Sequence, residues 1–141
     1  MIPNQVLQKD IIADLKVYAP LISVITTGSA IKEDEYQGTT YVYPAVRVAL
    51  ARQAPYRIPE LCDHMTLTFS IRVYSEQESS KEADTVIGVI AGHYHRHFFT
   101  GTGWKGWINR EAVVSAALWT EKLWRSEAFF RVNVYPNTAT P

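Results

Sequence analysis

The 141-residue chain is 47% hydrophobic, long enough to bury a real core and too apolar to stay disordered. Fourteen Lys and Arg balance fourteen Asp and Glu, which argues against nucleic acid as the main ligand and leaves little long-range repulsion to oppose self-association. Cys62 is the only cysteine, so an internal disulfide and a cysteine-rich metal site are excluded; the N-terminus does not read as a signal peptide, and no run approaches the ~18 apolar residues of a membrane span.

Asn4 to Tyr18 reads as a helix, with Leu7, Ile11, Leu15 and Tyr18 on one stripe and Pro20 stopping it. Leu21 to Thr27 is expected to be extended, and Gly28 to Thr40, with Lys32-Glu33-Asp34-Glu35, to be an exposed loop. A strand follows over Tyr41 to Arg52, with Val46, Val48 and Leu50 on one face, Arg47 and Ala49 on the other, and Pro44 near its start. Gln53 to Asp63 contains Pro55 and Pro59 and reads as a stiff excursion, long for a hairpin loop and therefore a candidate contact.

The clearest signal is the switch of period between His64 and Phe99. Met65, Leu67, Phe69, Ile71 and Val73 alternate with Thr66, Thr68, Ser70 and Arg72, the signature of a strand with one buried face. After Ser-Glu-Gln-Glu-Ser-Ser, residues Ala83, Val86, Ile87, Ile90, Ala91, Tyr94 and Phe98 recur at helical spacing, which predicts a helix from Lys81 to Phe99. Ser79 and Glu82 have the spacing of a capping box. Thr100 to Gly103 reads as a flexible break that runs on through Trp104 and Trp107. Ala112 to Trp119 and Glu127 to Tyr135 read as two further strands joined by a turn region, Thr120 to Ser126. In the last strand Ala128, Phe130, Val132 and Val134 alternate with Glu127, Phe129, Arg131 and Asn133.

The order α-β-β-α-β-β predicts an α+β fold, a mostly antiparallel sheet of about four strands with two helices packed on one face. Residues 1–135 are expected to form one domain and 136–141 a flexible tail.

No catalytic constellation emerges. His93 and His97 lie one turn apart if the helix continues through them, a pair able to clasp a metal but without a third ligand one turn further on; polar or cationic groups also suit a helix C-terminus. No serine sits in a Gly-x-Ser-x-Gly elbow, and Gly101-x-Gly103 lacks the flanking strand and helix of a phosphate loop. The carboxylates fall in solvated runs, so no enzyme, cofactor or metal is expected. Aromatic side chains are the more telling excess. Trp104, Trp107, Trp119 and Trp124 cluster in the last third, and Phe129 beside Arg131 on an outward face suits a protein contact.

Several segments together resemble a known family: Ile-Ile-Ala-Asp-Leu-Lys-Val-Tyr (Ile11 to Tyr18), Tyr-Pro-Ala-Val-Arg-Val (Tyr43 to Val48), Leu-Thr-Phe-Ser-Ile-Arg-Val-Tyr-Ser (Leu67 to Ser75) running into Lys-Glu-Ala-Asp, and Ala-Phe-Phe-Arg-Val-Asn-Val-Tyr (Ala128 to Tyr135). The chain is similar to the tail-completion, or tail-terminator, proteins that join head and tail in long-tailed bacteriophages. That resemblance implies a non-catalytic virion subunit, assembled in the bacterial host cytoplasm, that forms a ring of roughly six copies through a heterologous interface. The ring caps the head-proximal end of the tail tube and stops its growth. Its implied partners are further copies of itself, the tail tube protein and the head–tail connector protein, with DNA passing through the lumen without sequence-specific contact and no membrane involved. The contact segments assigned by position and exposure carry Glu33, Asp34, Glu35, Gln53, Tyr56 and Arg57; Trp104, Trp107, Phe129 and Arg131 complete the candidate set. Arg47, Arg52, Arg57 and Lys105 are either lumen-lining cations or ordinary solubilising charges. Another neck or connector adaptor ring, or a small-molecule-binding α+β domain built around the histidine run, remain the alternative readings.

Overall fold

A computed structural model describes residues 4–25, 30–33, 43–55, 65–77, 79–120 and 123–136. The elements in chain order are α1 (Asn4–Lys16), α2 (Ala19–Ile25), β1 (Ile31–Glu33), β2 (Ala45–Pro55), β3 (Met65–Ser75), α3 (Lys81–His93), β4 (His97–Thr100), β5 (Trp104–Thr120) and β6 (Leu123–Pro136). The strands form one six-stranded sheet in the order β1-β2-β3-β6-β5-β4, curled into a half-barrel. The β1–β2 pairing is parallel and the rest are antiparallel. The fold class expected from the sequence, about four strands under two helices, is therefore corrected to a mixed six-stranded half-barrel with three helices.

Each correction has a local cause. Pro20 does not end helical structure here; it sits at the second residue of α2, where its missing N–H has no helical partner to lose. Leu21 and Ile25, one turn apart, are both buried, so Leu21 to Ile25 of the segment expected to be extended is helical. Within the segment read as a loop, Ile31–Glu33 pairs with Val46, Arg47 and Val48; three residues are too few for periodicity to reveal. The helix from Lys81 stops at His93 with Tyr94 as its C-cap, Arg96 then takes φ +52°, and His97–Thr100 turns back as β4. Phe98, placed on the helical stripe by spacing, thus faces solvent. The capping box is not formed. Ser80 is the N-cap residue, Ser79 Oγ accepts from the Lys81 N–H at 3.4 Å, and the Glu82 carboxylate instead accepts from Ser75 Oγ at 2.7 Å.

The expected break at Thr100 to Trp107 is a tight β4–β5 hairpin. The Gly101 N–H donates to the Trp104 carbonyl at 2.8 Å, and Gly103 takes φ +77°, a conformation that favours glycine. β5 and β6 run far beyond the strands expected from alternation, so Leu123 and Trp124 are strand residues rather than turn residues. Register shifts at Arg110/Ala112, Val114/Ala117 and Leu118/Thr120 break the period of two in β5, which hides its length from pattern reading. β2 likewise continues through Gln53, Ala54 and Pro55, paired with Leu67, Thr66 and Met65, so the first three residues of the expected excursion are strand residues. Its remainder, with Cys62, lies outside the described residues, as do 34–42 and the tail 137–141.

The core is the layer between helices and sheet. Leu7, Ile11 and Leu15 of α1 and Ala83, Val86, Ile87 and Ile90 of α3 meet Val46, Val48, Leu67, Phe69, Ile71, Val73, Phe130, Val132 and Val134, all buried. The alternation read in β3 and β6 holds along this face at Leu67, Phe69, Ile71 and Val73 and at Ala128, Phe130, Val132 and Val134.

Candidate interaction surface

The sheet face opposite the helices is built by the residues that alternate with the core set. Cross-strand register places them in rows: Phe98, Trp107, Asn133 and Thr66; Asn109, Arg131 and Thr68; Ala112, Phe129 and Ser70. Three of the candidates named from the sequence therefore share one surface, Trp107, Phe129 and Arg131. Trp107 is 52% exposed and stands edge-on to Phe98, ring centroids 5.3 Å apart. Phe129 is half-buried beside Ser70, and Arg131 Nε reaches Glu111 Oε1 at 2.6 Å in an exposed ion pair. On the same face Glu127 binds Arg72 Nε at 2.7 Å and Arg125 Nη2 at 3.2 Å. Burial alone would raise the Glu127 pKa, but the hydrogen bonds from Arg72 and Ser70 and the charges of Arg72 and Arg125 hold it below its ordinary value.

The other candidates are placed differently. Trp104 is fully buried, its indole N–H donating to Asp10 Oδ2 at 2.7 Å and its ring stacked on Phe99 at 5.0 Å. Its role is to close the core. Glu33 ends β1, and Gln53 lies in β2 opposite Leu67. Asp34, Glu35, Tyr56 and Arg57 lie outside the described residues. Arg47, a possible lumen cation, is instead buried, with Nη1 donating to the carbonyls of Ala30 and Val46 at 2.8 and 3.0 Å.

The structure adds a surface that sequence reasoning missed. β4 covers β5 only along Lys105–Ile108, so from Asn109 onward β5 is bordered by β6 alone among the described strands. From Asn109 to Leu118 every residue is exposed except the half-buried Ala116. Val113, Val114 and Leu118 put large apolar groups into solvent there, Leu118 at 57%. The signal was present as an overlong apolar stretch, Ala112 to Trp119, with few charges to blunt an edge.

The histidine run forms a polar clasp between α1 and α3. The Tyr94 hydroxyl donates to Asp14 Oδ2 at 2.7 Å, and His93 Nε2 lies 2.8 Å from the same oxygen. Tyr18 stacks on His93 at 3.9 Å, and the His93 and His97 rings are 4.7 Å apart. Asp10, one turn earlier on α1, accepts from Thr102 N–H, Thr102 Oγ1 and Trp104 Nε1. A broad depression of about 450 Å³ lies over these groups, but both of its carboxylates are already engaged. Among the described residues no three His, Cys, Asp or Glu side chains are set to hold a metal ion, and no helix is long and apolar enough to cross a membrane.

The clasp is acid-sensitive. Burial lowers the His97 pKa below 6.5, the His93 charge lowers it further, and Asp14 offsets part of this. Burial alone would raise the Asp14 pKa, but hydrogen bonds from His93 and Tyr94 and the charges of His93 and His97 bring it below 3.8. Both values lie below those of the unfolded chain, so on acidification the unfolded state takes up protons first. Stability from His97 is intact above pH 6.5 and is lost as pH falls below it, with the Asp14 contribution lost below 3.8. Thermal unfolding followed from pH 7.5 to 5 is expected to show a falling midpoint, and His97→Gln to flatten that slope, roughly pH 7 to 5 being the window in which a histidine titrates. An unchanged slope in His97→Gln would remove His97 as its source.

No family model and no curated protein matches the sequence. A chain in the solved structure "Virion of native gene transfer agent (GTA) particle" shares the fold, with a TM-score of 0.68 and 16% identity over 92% of this chain and 95% of that one.

Proposed function

We propose that this chain is a structural virion protein that forms a ring at the head-proximal end of a phage tail tube, ends tube growth there and joins the tail to the head connector. The observation that carries the reading is the fold shared, nearly end to end, with a chain of the gene transfer agent virion, a phage-like particle. The resemblance of Leu67 to Ser75, Ala128 to Tyr135 and the first helix to tail-completion proteins points the same way. Exposed Phe98, Trp107, Val113, Val114 and Leu118 supply apolar surface for ring neighbours, tube or connector. Zero formal charge suits a lumen that DNA must cross without being held. The role is non-catalytic, located in the virion and assembled in the host cytoplasm with further copies of itself.

Addition of the purified chain to polymerising tail-tube subunits tests this. Growth is expected to stop, leaving shorter tubes as the ratio of chain to tube subunit rises. If tube length is independent of the chain while the chain binds isolated connector rings, the function is that of a neck adaptor instead.

A further inference from the structure

The chain is neutral overall, but its charges are unevenly spread. On the sheet face opposite the helices stand Lys32, Arg72, Lys105, Arg125 and Arg131, with Glu111 and Glu127 the acidic residues there among the described ones, five cations against two carboxylates. α1 and α3 show the reverse, with Asp10, Asp14, Glu82 and Asp84 against Lys9, Lys16 and Lys81. On the sheet face Arg72 and Arg125 share the one carboxylate of Glu127, and Glu111 answers Arg131. Lys105 is exposed and makes no ion pair with a described residue.

These cations are spread out rather than gathered at one point. Arg125 and Arg131 are six residues apart on β6, ~20 Å of extended chain, and Lys32 and Lys105 lie on β1 and β5 to either side. A lone phosphate or carboxylate is held by converging donors. A cation field of this length instead fits a polyanion whose charges repeat along a chain.

We propose that this open sheet face meets DNA through its phosphate backbone. The assignment rests on the reading above, in which DNA crosses the ring, and names the surface turned towards it. Lys105 and Arg131 are exposed and able to reach phosphate oxygens, while Lys32, Arg72 and Arg125 add positive potential around them. The exposed Trp107 ring, two residues from Lys105 on the same face, adds apolar surface beside the sugars. Because the formal excess is small, each copy holds DNA weakly and without reading its sequence, which leaves a duplex free to slide.

Fluorescence anisotropy of a short labelled DNA duplex titrated with the chain tests this. Binding at low salt is expected, alike for duplexes of unrelated sequence. It should weaken about 40-fold between roughly 50 and 200 mM salt, the value for three phosphate contacts. Lys105→Gln and Arg131→Gln alter exposed side chains, so the fold is retained, as circular dichroism can verify. Each is expected to weaken binding and to lower the salt slope by about one. Lys9→Gln and Lys81→Gln, at exposed positions of the helix layer, are expected to leave both unchanged. No binding in low salt at hundreds of micromolar chain would overturn the proposal, as would equal weakening by the helix-layer variants. So would capture of poly-glutamate in place of the duplex, which would assign the face to an acidic protein partner. Tube growth is read separately: a chain that ends tubes yet ignores DNA overturns this assignment and leaves the ring reading standing.

Discussion

Phe69→Ala is expected to cost about 3–5 kcal/mol. Phe69 is 1% exposed, stacks on Phe130 with centroids 5.2 Å apart and meets the edge of Tyr94 at 6.3 Å. It lies at the centre of β3, paired with Leu50 on one side and Phe130 on the other, beneath α3. Removing the ring leaves a cavity that a sheet bonded on both sides cannot collapse to fill. Against a total stability of about 5–15 kcal/mol such a loss leaves little margin. Denaturant unfolding should show the midpoint fall with an unchanged slope; Phe69→Leu should recover most of the difference. A loss below about 1 kcal/mol would mean that the helix layer is not seated on this residue.

Asp10→Ala should be nearly as damaging, although Asp10 is only partly buried. Its carboxylate receives the Thr102 N–H at 2.8 Å, Thr102 Oγ1 at 2.9 Å and the buried Trp104 indole N–H at 2.7 Å. Deleting it strands the indole donor inside the core and releases the β4–β5 turn from α1. A Cβ at Gly101 would collide with the Trp104 ring and approach Asp10 Oδ2 at 2.6 Å, which shows how closely the turn is drawn onto this carboxylate. Hydrogen bonds to a charged acceptor are worth about 1.5–3 kcal/mol each, and the bonds here are not additive, so a loss of about 3 kcal/mol is expected. That corresponds to roughly 10 °C in the melting midpoint of a chain this size. Asp10→Asn retains one acceptor oxygen and should lose less than half as much. Equal losses for the two variants would assign the effect to charge rather than to hydrogen bonding.

The parts of this fold that were legible in the sequence are those where one period runs long enough to be read. β3 and β6 alternate through Leu67, Phe69, Ile71 and Val73 and through Ala128, Phe130, Val132 and Val134, and all eight are buried. α1 and the first three turns of α3 were equally clear. What failed to show were elements specified by tertiary context. β1 is three residues that acquire meaning only against Val46 to Val48. β4 inherits a helical spacing from α3, so that only the backbone reversal at Arg96 separates Tyr94, at the buried helix end, from Phe98, on the open face. β5 loses its alternation at three register shifts.

The same distinction explains where the candidate contact residues stand. Phe129 and Arg131 stand on the outward face that the alternation of β6 assigns them, whereas Trp107, expected within a flexible break, is a strand residue of β5. Trp104 has the same composition signal, yet Asp10 draws it inward, a partnership across the chain that no local pattern reveals. Val113, Val114 and Leu118 read as ordinary strand residues. β4 stops opposite Ile108 and leaves the β5 edge open beyond it, and the adjacent Val113 and Val114 are both exposed, so the apolar stretch shows its length in the sequence but not its exposure.

Whether this chain terminates tail tubes can be seen by electron microscopy of preassembled tubes incubated with it. A ring-shaped cap is expected at one end of each tube only, with capped tubes failing to elongate when fresh tube subunits are added. Tubes with two bare ends that continue to grow, at chain concentrations far above the number of tube ends, would contradict it.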